Sequence, residues 1–228
     1  SGKLAMAASY THDRTDGHRP NSRYRSSHGH FKAGWNFNKN LDLSLSAGLA
    51  DLFSVDPGPT SNPDEYANGK HWADVLRGNA QISFKNNYER LSGHANLFFN
   101  QGNHDIYTNW QSMDRNYGVS VYESFSFIQN NLFGVGFDWN SYGGQGNTVE
   151  PFDNWVDVTE TGGFAFVQHT FWEALTLNAA GRVHNHSVYG NRFVPQVGAV
   201  YALSESQSVK ALASNGFRSP NVKELYFF

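Results

Sequence analysis

Two His-x-His pairs are the residues of this sequence whose type and spacing point most directly to chemistry. They are His28 with His30, and His184 with His186. Residues i and i+2 of a β-strand lie on the same face, so each pair can present two imidazoles to one metal ion. Spacing supplies no third ligand for either pair. A polar lining of solvated histidines is therefore the alternative to a metal site.

Two segments that read as loops add oxygen ligands and aromatic rings. "NHDIYTNW" at 103–110 and "NPDEY" at 62–66 carry carboxylates that suit a cation such as calcium, although acidic surface loops are often simply solvated. Tyr107, Trp110 and Tyr142 are candidates for contact with a ligand. Trp110 is the strongest of the three, because its position in the sequence predicts that it lies deep in a loop.

The sequence carries no catalytic signature. It contains no G-x-S-x-G, no H-E-x-x-H and no Gly-Lys-Ser/Thr phosphate loop. Cysteine is absent, which excludes disulfides, thiol catalysis and thiolate metal sites. The net charge is only -3, so no basic surface indicates nucleic acid. We therefore expect neither an enzyme nor a nucleic-acid-binding protein, and we expect no cofactor.

The elements that must position these residues are β-strands, because apolar and polar residues alternate with a period of two. In "LDLSLSAGL", for example, Leu41, Leu43 and Leu45 share one face, while Asp42 and Ser44 share the other. Similar alternation recurs in about eleven segments. No apolar run approaches the roughly 20 residues of a membrane-spanning helix. Strands with one apolar face and this length instead suit a transmembrane barrel.

The predicted connections between strands alternate in length. Short ones fall near 38–40, 86–89, 129–131, 168–173 and 204–207, and long ones near 11–25, 53–70, 101–116, 140–154 and 186–192. Short turns at one end and long loops at the other are typical of an antiparallel, up-and-down barrel of the outer-membrane type. A soluble β-sandwich or solenoid is the alternative, although a sandwich lacks this one-sided difference in loop length.

Aromatic residues are predicted to form two belts at the membrane interfaces. Trp35, Phe37, Phe84, Phe127, Phe133 and Tyr201 lie near short turns, and Trp72, Phe99, Tyr117, Trp139 and Trp155 lie near long loops. Interface anchoring explains Trp72 and Trp155 better than ligand contact does. Glu123 and Glu160 each share a face with apolar neighbours, which places both on the lipid-facing side of the sheet. Because a carboxylate in lipid is unfavourable, we expect them to stand above the hydrocarbon at the long-loop ends of their strands. A bulge at Gly162-Gly163 that resets the parity is the alternative.

The stretch "NGFRSPNVKELYF" reads as a strand that leaves its sheet. Pro220 lacks a backbone N–H and favours extended geometry in the residue before it. The stretch resembles a motif in the barrels of TonB-dependent outer-membrane receptors. The matching residues are Gly216, Phe217, Arg218, Ser219, Pro220, Asn221, Glu224, Leu225 and Tyr226. The upstream "NRFVPQVGAVYAL" resembles the strand that precedes this motif in the family, and the cobalamin-type receptors are the most similar members.

The resemblance implies an all-β fold: an antiparallel, up-and-down transmembrane barrel of which residues 1–228 supply about eleven of about 22 strands. It implies that the remaining strands and an N-terminal plug domain lie outside this sequence. The expected location is the bacterial outer membrane, crossed several times. The expected partners are membrane lipid, the receptor's own plug domain, a TonB-type periplasmic energy-coupling protein that acts through the plug, and a small-molecule or metal-chelate ligand.

The expected function is import of a scarce nutrient, namely cobalamin, a siderophore, haem or another metal chelate. Arg218 shares the polar face of its strand, so it is expected to point into the lumen and to join the ligand candidates. A complete small outer-membrane barrel, acting as a hydrolase or as a passive pore, is the alternative. The hydrolase requires an even strand count and a Ser/His pair on one strand face.

Overall fold

The alternating segments form one antiparallel sheet. The structure is a computed structural model that describes residues 3–61, 65–66, 69–147, 154–220 and 224–225. Within these residues it has eleven strands, each paired with the next along the chain. They are β1 (Leu4–Thr15), β2 (Tyr24–Asn38), β3 (Leu41–Val55), β4 (Trp72–Tyr88), β5 (Leu91–Ile106), β6 (Trp110–Phe125), β7 (Asn131–Gly146), β8 (Val156–Phe171), β9 (Leu175–His186), β10 (Gly190–Ser204) and β11 (Gln207–Ser214). The predicted all-β, up-and-down order is confirmed.

The register keeps the predicted apolar residues on one face, which we call the outer face. Leu45 lies between Ala33 of β2 and Ile82 of β4 in the cross-strand row. Leu45 is 40% exposed, which is unfavourable in water but suits contact with lipid. The opposite face, the inner face, carries polar residues such as Ser44 and Ser83, which pair directly. Among the described residues, no helix is long and apolar enough to cross a membrane.

Two predicted long loops are instead tight hairpins. β5 and β6 are joined by residues 107–109, and β9 and β10 by residues 187–189. Asn109 has a φ of 62°, a left-handed conformation that asparagine tolerates and that closes the first turn. The loops predicted at 101–116 and 186–192 were therefore wrong. The error has a physical cause: these strand ends carry polar residues on both faces, so their alternation is weak.

The strands consequently extend beyond the membrane at the end where the long connections lie. β5 to β8 each have 16 residues, whereas about 9–11 residues of a tilted strand cross the hydrocarbon core. The rings of the belt residues Tyr117 and Trp139 meet edge-on, with centroids 5.6 Å apart, near the middle of β6 and β7. The strand residues beyond this belt form a polar extension of the sheet, and it carries both the candidate site and the charged outer rim described below.

The two glutamates that were predicted on the lipid-facing side of the sheet lie on different faces. Glu123 does lie on the outer face, where Asn86 donates a hydrogen bond to it over 2.9 Å, but it lies near the short-turn end of β6. Glu160 lies on the inner face, because the register places it opposite Asn140 and His186. The apolar residues of β8 that share a face with Glu160 therefore lie on the inner face, opposite to the prediction.

Two glycines explain the reversal. Phe164 and Phe166 point to the inner face and pack over Gly136 and Gly134 of β7, where any Cβ would stand 2.2 Å and 2.1 Å from their rings. The aromatic side chains cover backbone that the glycines leave open. Apolar character alone therefore misassigned the face of β8.

Candidate functional site

The candidate site lies on the inner face, in the polar extension at the end with the long connections. Two groups of side chains are built there. We call Arg77, His104, Trp110, Ser112 and Asp114 the Arg77 cluster, and Tyr142, Glu160, His184 and His186 the Glu160 cluster. The first spans β4 to β6 and the second spans β7 to β9.

An ion pair across a glycine forms the centre of the Arg77 cluster. The two guanidinium nitrogens of Arg77 donate to the two carboxylate oxygens of Asp114 over 3.2 Å and 2.7 Å. The partners lie on β4 and β6, and Gly102 of β5 separates them in the register. A Cβ on Gly102 would stand 2.7 Å from both side chains, so the absent side chain is what lets the pair close over β5.

Aromatic groups extend the Arg77 cluster. Nη1 of Arg77 lies 3.1 Å from Nε2 of His104, and Nδ1 of His104 lies 3.2 Å from Oγ of Ser112. The ring of Trp110 is stacked on His104 with an interplanar angle of 8° and a centroid distance of 6.5 Å. Arg77 and Asp114 keep 47% and 40% of their side-chain surface exposed. The cluster therefore offers an accessible guanidinium and flat rings to a ligand in the lumen.

A second ion pair of the same design lies near the Glu160 cluster. Arg182 of β9 donates two hydrogen bonds of 2.7 Å to Asp138 of β7. The register places Gly162 of β8 opposite Asp138, and the guanidinium reaches over it diagonally from β9, so that a Cβ on Gly162 would stand 2.0 Å from the guanidinium. Both side chains are only 32% exposed. The ion pair therefore ties β7 to β9 across the intervening strand.

The Glu160 cluster is more enclosed still. The hydroxyl of Tyr142 donates to Glu160 over 2.8 Å, and the same carboxylate lies 3.6 Å from Nε2 of His186 and 3.8 Å from Nε2 of His184. The side chain of His186 is fully buried. Its Nδ1 accepts the backbone N–H groups of Val188 and of the next residue, at 3.0 Å and 3.3 Å.

These contacts define the state of the His186 ring. Since Nδ1 accepts hydrogen bonds, the neutral ring carries its proton on Nε2, which lies 3.6 Å from the carboxylate of Glu160, beyond hydrogen-bond distance. In this arrangement the ring has no free lone pair for a metal ion. Among the described residues, no group of three His, Asp or Glu side chains is arranged to hold a metal. Metal binding by His184 and His186 stays a prediction.

The other predicted site residues are dispersed. His28 and His30 are exposed on the inner face of β2, and no contact of their rings links them to either cluster. Tyr107 packs edge-on against His71 at 4.3 Å, outside the Arg77 cluster. Trp110 is the first residue of β6 rather than part of a loop, and only it and Tyr142 join the clusters. The 62–66 acidic segment lies partly outside the described residues.

The family motif leaves the sheet as its sequence predicted, because β11 ends at Ser214. The ring of Phe217 lies 5.5 Å from His184, and Oγ of Ser219 lies 3.4 Å from Nε2 of the same histidine. Arg218 is exposed and forms an ion pair of 2.8 Å with Glu224, whose hydrogen bonds hold the pKa of Arg218 above its ordinary value. Asn221 and Tyr226 lie outside the described residues.

Sequence reasoning missed five residues that build the clusters: Arg77, His104, Ser112, Asp114 and Glu160. A signal was present in the strand-interior glycines Gly102 and Gly162, which mark places where side chains of the flanking strands can meet. The identity of the partners required the register, which the sequence alone did not supply.

Comparison with known proteins identifies relatives of the whole chain. Residues 5–228 match the family described as TonB dependent receptor-like, beta-barrel. No curated protein matches the chain. Similar solved structures include the siderophore receptor PirA from Pseudomonas aeruginosa, which is 15% identical with a TM-score of 0.81 and is matched over 97% of this chain and 38% of its own.

Two further solved structures are similar in the same way. A mutant of the ferric enterobactin receptor PfeA from Pseudomonas aeruginosa is 14% identical with a TM-score of 0.76, over 99% of this chain and 40% of that one. The unliganded ferric citrate transporter FecA is 13% identical with a TM-score of 0.70, over 93% and 39%. The chain thus spans about two fifths of these structures, and at this identity the likeness establishes the fold.

Proposed function

The chain belongs to the TonB-dependent receptor β-barrel family, and on this premise we propose that it forms part of the wall of an outer-membrane receptor that imports a ferric chelate. The observation that carries the proposal is the accessible Arg77 cluster on the inner face of a sheet whose outer face suits lipid. Two of the similar structures are a siderophore receptor and a ferric citrate transporter, which supports iron as the metal.

The Arg77 cluster is suited to an anionic chelate. A guanidinium donates paired hydrogen bonds to carboxylate or catecholate oxygens, and its plane matches theirs. Trp110 and His104 offer flat surfaces for the organic part of the ligand, and the stacked rings keep each other in place. Asp114 holds the guanidinium in position until a ligand with more negative charge competes for it.

The barrel itself performs no covalent chemistry in this proposal. Ligand binds at the end with the long connections, above a plug domain that fills the lumen. A TonB-type periplasmic protein, acting on the plug, then opens the path. The wall supplies a rigid polar surface, and ion pairs that span three strands, such as Arg182 with Asp138, contribute to that rigidity.

The experiment is uptake by cells whose own receptors for these ligands are deleted and that express the full-length receptor. Radiolabelled iron is supplied as a ferric catecholate, ferric citrate or haem, and labelled cobalamin is supplied in parallel. We expect uptake of one ferric chelate that requires both the receptor and the TonB-type protein. Uptake of cobalamin alone would contradict iron as the cargo. Entry of all solutes without the TonB-type protein would indicate a passive pore.

A further inference from the structure

The outer face carries an arginine-lined hollow that the proposed import of a chelate does not use. Arg14, Arg23 and Arg25 line it together with Phe53 and Asp74, and its volume is about 350 Å³. These side chains stand on the face opposite the lumen, as the pairing of Arg25 with Phe53 and of Phe53 with Asp74 shows. A ligand that passes through the lumen does not meet them.

The charges in this hollow are only partly compensated. Arg14 lies directly opposite Arg25 in the register, and like charges in such a pair are destabilising. Arg25 forms an ion pair of 3.7 Å with Asp51, and Asp74 is the one carboxylate among the described residues that line the hollow, against three arginines. Within the described residues Arg14 has no ion pair or hydrogen bond of its side chain. An anion in the hollow would offset the repulsion between Arg14 and Arg25.

The hollow is also preorganised. The guanidinium carbons of Arg23 and Arg25 lie 5.1 Å and 5.8 Å from the centroid of the Phe53 ring, one on the connection before β2 and one on the strand. Cation–π contact holds planar guanidinium groups in place while their N–H donors stay free. Three guanidinium groups around one concavity are suited to the three oxygens of a phosphate.

The height of the hollow on the sheet indicates where that phosphate comes from. Tyr10 on the outer face of β1 is 70% exposed and belongs to the apolar surface, and Arg14 follows it by four residues on the same face. At about 3.3 Å per residue along a tilted strand, this places the arginines roughly 10 Å above Tyr10, at the level of lipid headgroups. Basic pockets at this level recognise anionic headgroups.

A neighbouring hollow indicates that the headgroup also carries sugars. It has a volume of about 480 Å³, shares Asp74 with the arginine hollow, and is lined largely by carboxylate and amide side chains such as Asp105, Asn103, Gln111 and Gln145. Carboxylates accept hydrogen bonds from hydroxyls, and amides both donate to hydroxyls and accept from them. We infer that the outer face binds a phosphorylated glycolipid of the outer leaflet, with its phosphate on Arg14, Arg23 and Arg25 and its sugars along the adjacent hollow.

The test measures lipopolysaccharide retained by the full-length receptor after purification from outer membranes in mild detergent. The triple variant Arg14→Gln, Arg23→Gln, Arg25→Gln is compared with wild type. Arg115→Gln is the matched control, because Arg115 stands on the same face but is already paired with Asp157 at 3.5 Å and stacked on Trp155 at 4.1 Å. Heat-dependent gel mobility confirms a folded barrel, and the single variant Arg14→Gln replaces the triple variant if the latter does not fold.

We expect the triple variant to retain at least fivefold less lipopolysaccharide than wild type, and the Arg115 variant to retain the wild-type amount. The single Arg14 variant should retain about half or less. Because the contact is directly from arginine to phosphate, washing with EDTA should leave the wild-type lipid bound. Millimolar inorganic phosphate should not displace the wild-type lipid.

Three results would overturn the inference. They are equal retention by wild type and the folded arginine variants, loss of the wild-type lipid in EDTA, and displacement by inorganic phosphate alone. The inference relies on the proposed outer-membrane location. Absence of the receptor from that membrane would therefore defeat the proposed function first. With the receptor in the membrane, chelate uptake by the arginine variants should equal that of wild type whether or not they retain lipopolysaccharide.

Discussion

Two ion pairs on the inner face share one design and differ in what surrounds them. Arg77 with Asp114 and Arg182 with Asp138 each bridge alternate strands across a glycine. The first pair is 47% and 40% exposed, and it adjoins His104, on which the half-buried Trp110 is stacked. The second is 32% exposed on both sides and adjoins the Glu160 cluster. The same construction is therefore open to the lumen in one place, where we propose ligand contact, and more enclosed in the other, where we propose that it braces the wall.

The largest difference is expected from removing each arginine. Arg182→Gln leaves Asp138 half-buried without its partner, and we expect it to lower the free energy of unfolding by about 2 kcal/mol. Arg77→Gln should lower it by less than about 1 kcal/mol, because water solvates the exposed carboxylate that remains. Chemical unfolding of the full-length receptor in detergent micelles, followed by gel mobility, measures both. If both variants lose the same free energy of unfolding, the two ion pairs do not differ in how much they brace the wall.

A smaller effect on the free energy of unfolding is expected from replacing the glycine under the Arg182 ion pair with alanine. Gly162→Ala would place a Cβ 2.0 Å from the Arg182 guanidinium, whose flexible end can move only by giving up its paired hydrogen bonds. We expect a loss of about 1 kcal/mol from the same unfolding measurement. Gly163→Ala is the matched control, since the nearest atom to its Cβ is 4.0 Å away. It should be neutral or slightly stabilising, and a loss equal to that of Gly162→Ala would show that steric contact with Arg182 is not the cause.

The smallest effect concerns a single hydroxyl. Tyr142→Phe removes the donor to Glu160 and leaves that carboxylate with less compensation, at a cost of about 1 kcal/mol or less. Tyr122→Phe on the same face is the control, because within the described part of the chain the Tyr122 hydroxyl has no hydrogen bond. If both variants unfold at the same denaturant concentration, the Glu160 cluster does not brace the wall.

The sequence predicted the strands well because alternation is a direct consequence of two unlike faces. Leu41, Leu43 and Leu45 face outward as the pattern required, and the strand count was confirmed. Prediction failed where both faces are polar, as around Trp110, because a strand end beyond the membrane then reads like a loop. It also failed for β8, where Phe164 and Phe166 face inward over glycines of the neighbouring strand.

The site was less predictable than the fold, because its partners lie on different strands. His184 and His186 were identified from their spacing, yet their neighbour Glu160 was predicted to lie on the lipid-facing side of the sheet. Arg77 and Asp114 are 37 residues apart, and only the register brings them together. Pairwise contacts of this kind depend on which residue lies opposite which glycine, and a single sequence does not contain that information in a readable form.

The most direct test of the account is equilibrium binding of the transported ferric chelate to the full-length receptor and two opposed charge variants. If Arg77 receives an anionic ligand, Arg77→Gln should weaken binding about tenfold or more, which is about 1.4 kcal/mol. Asp114→Asn should leave binding unchanged or tighten it, because the guanidinium is then released to the ligand. Equal weakening by both variants, or no effect of either, would contradict a ligand-binding role for the Arg77 cluster.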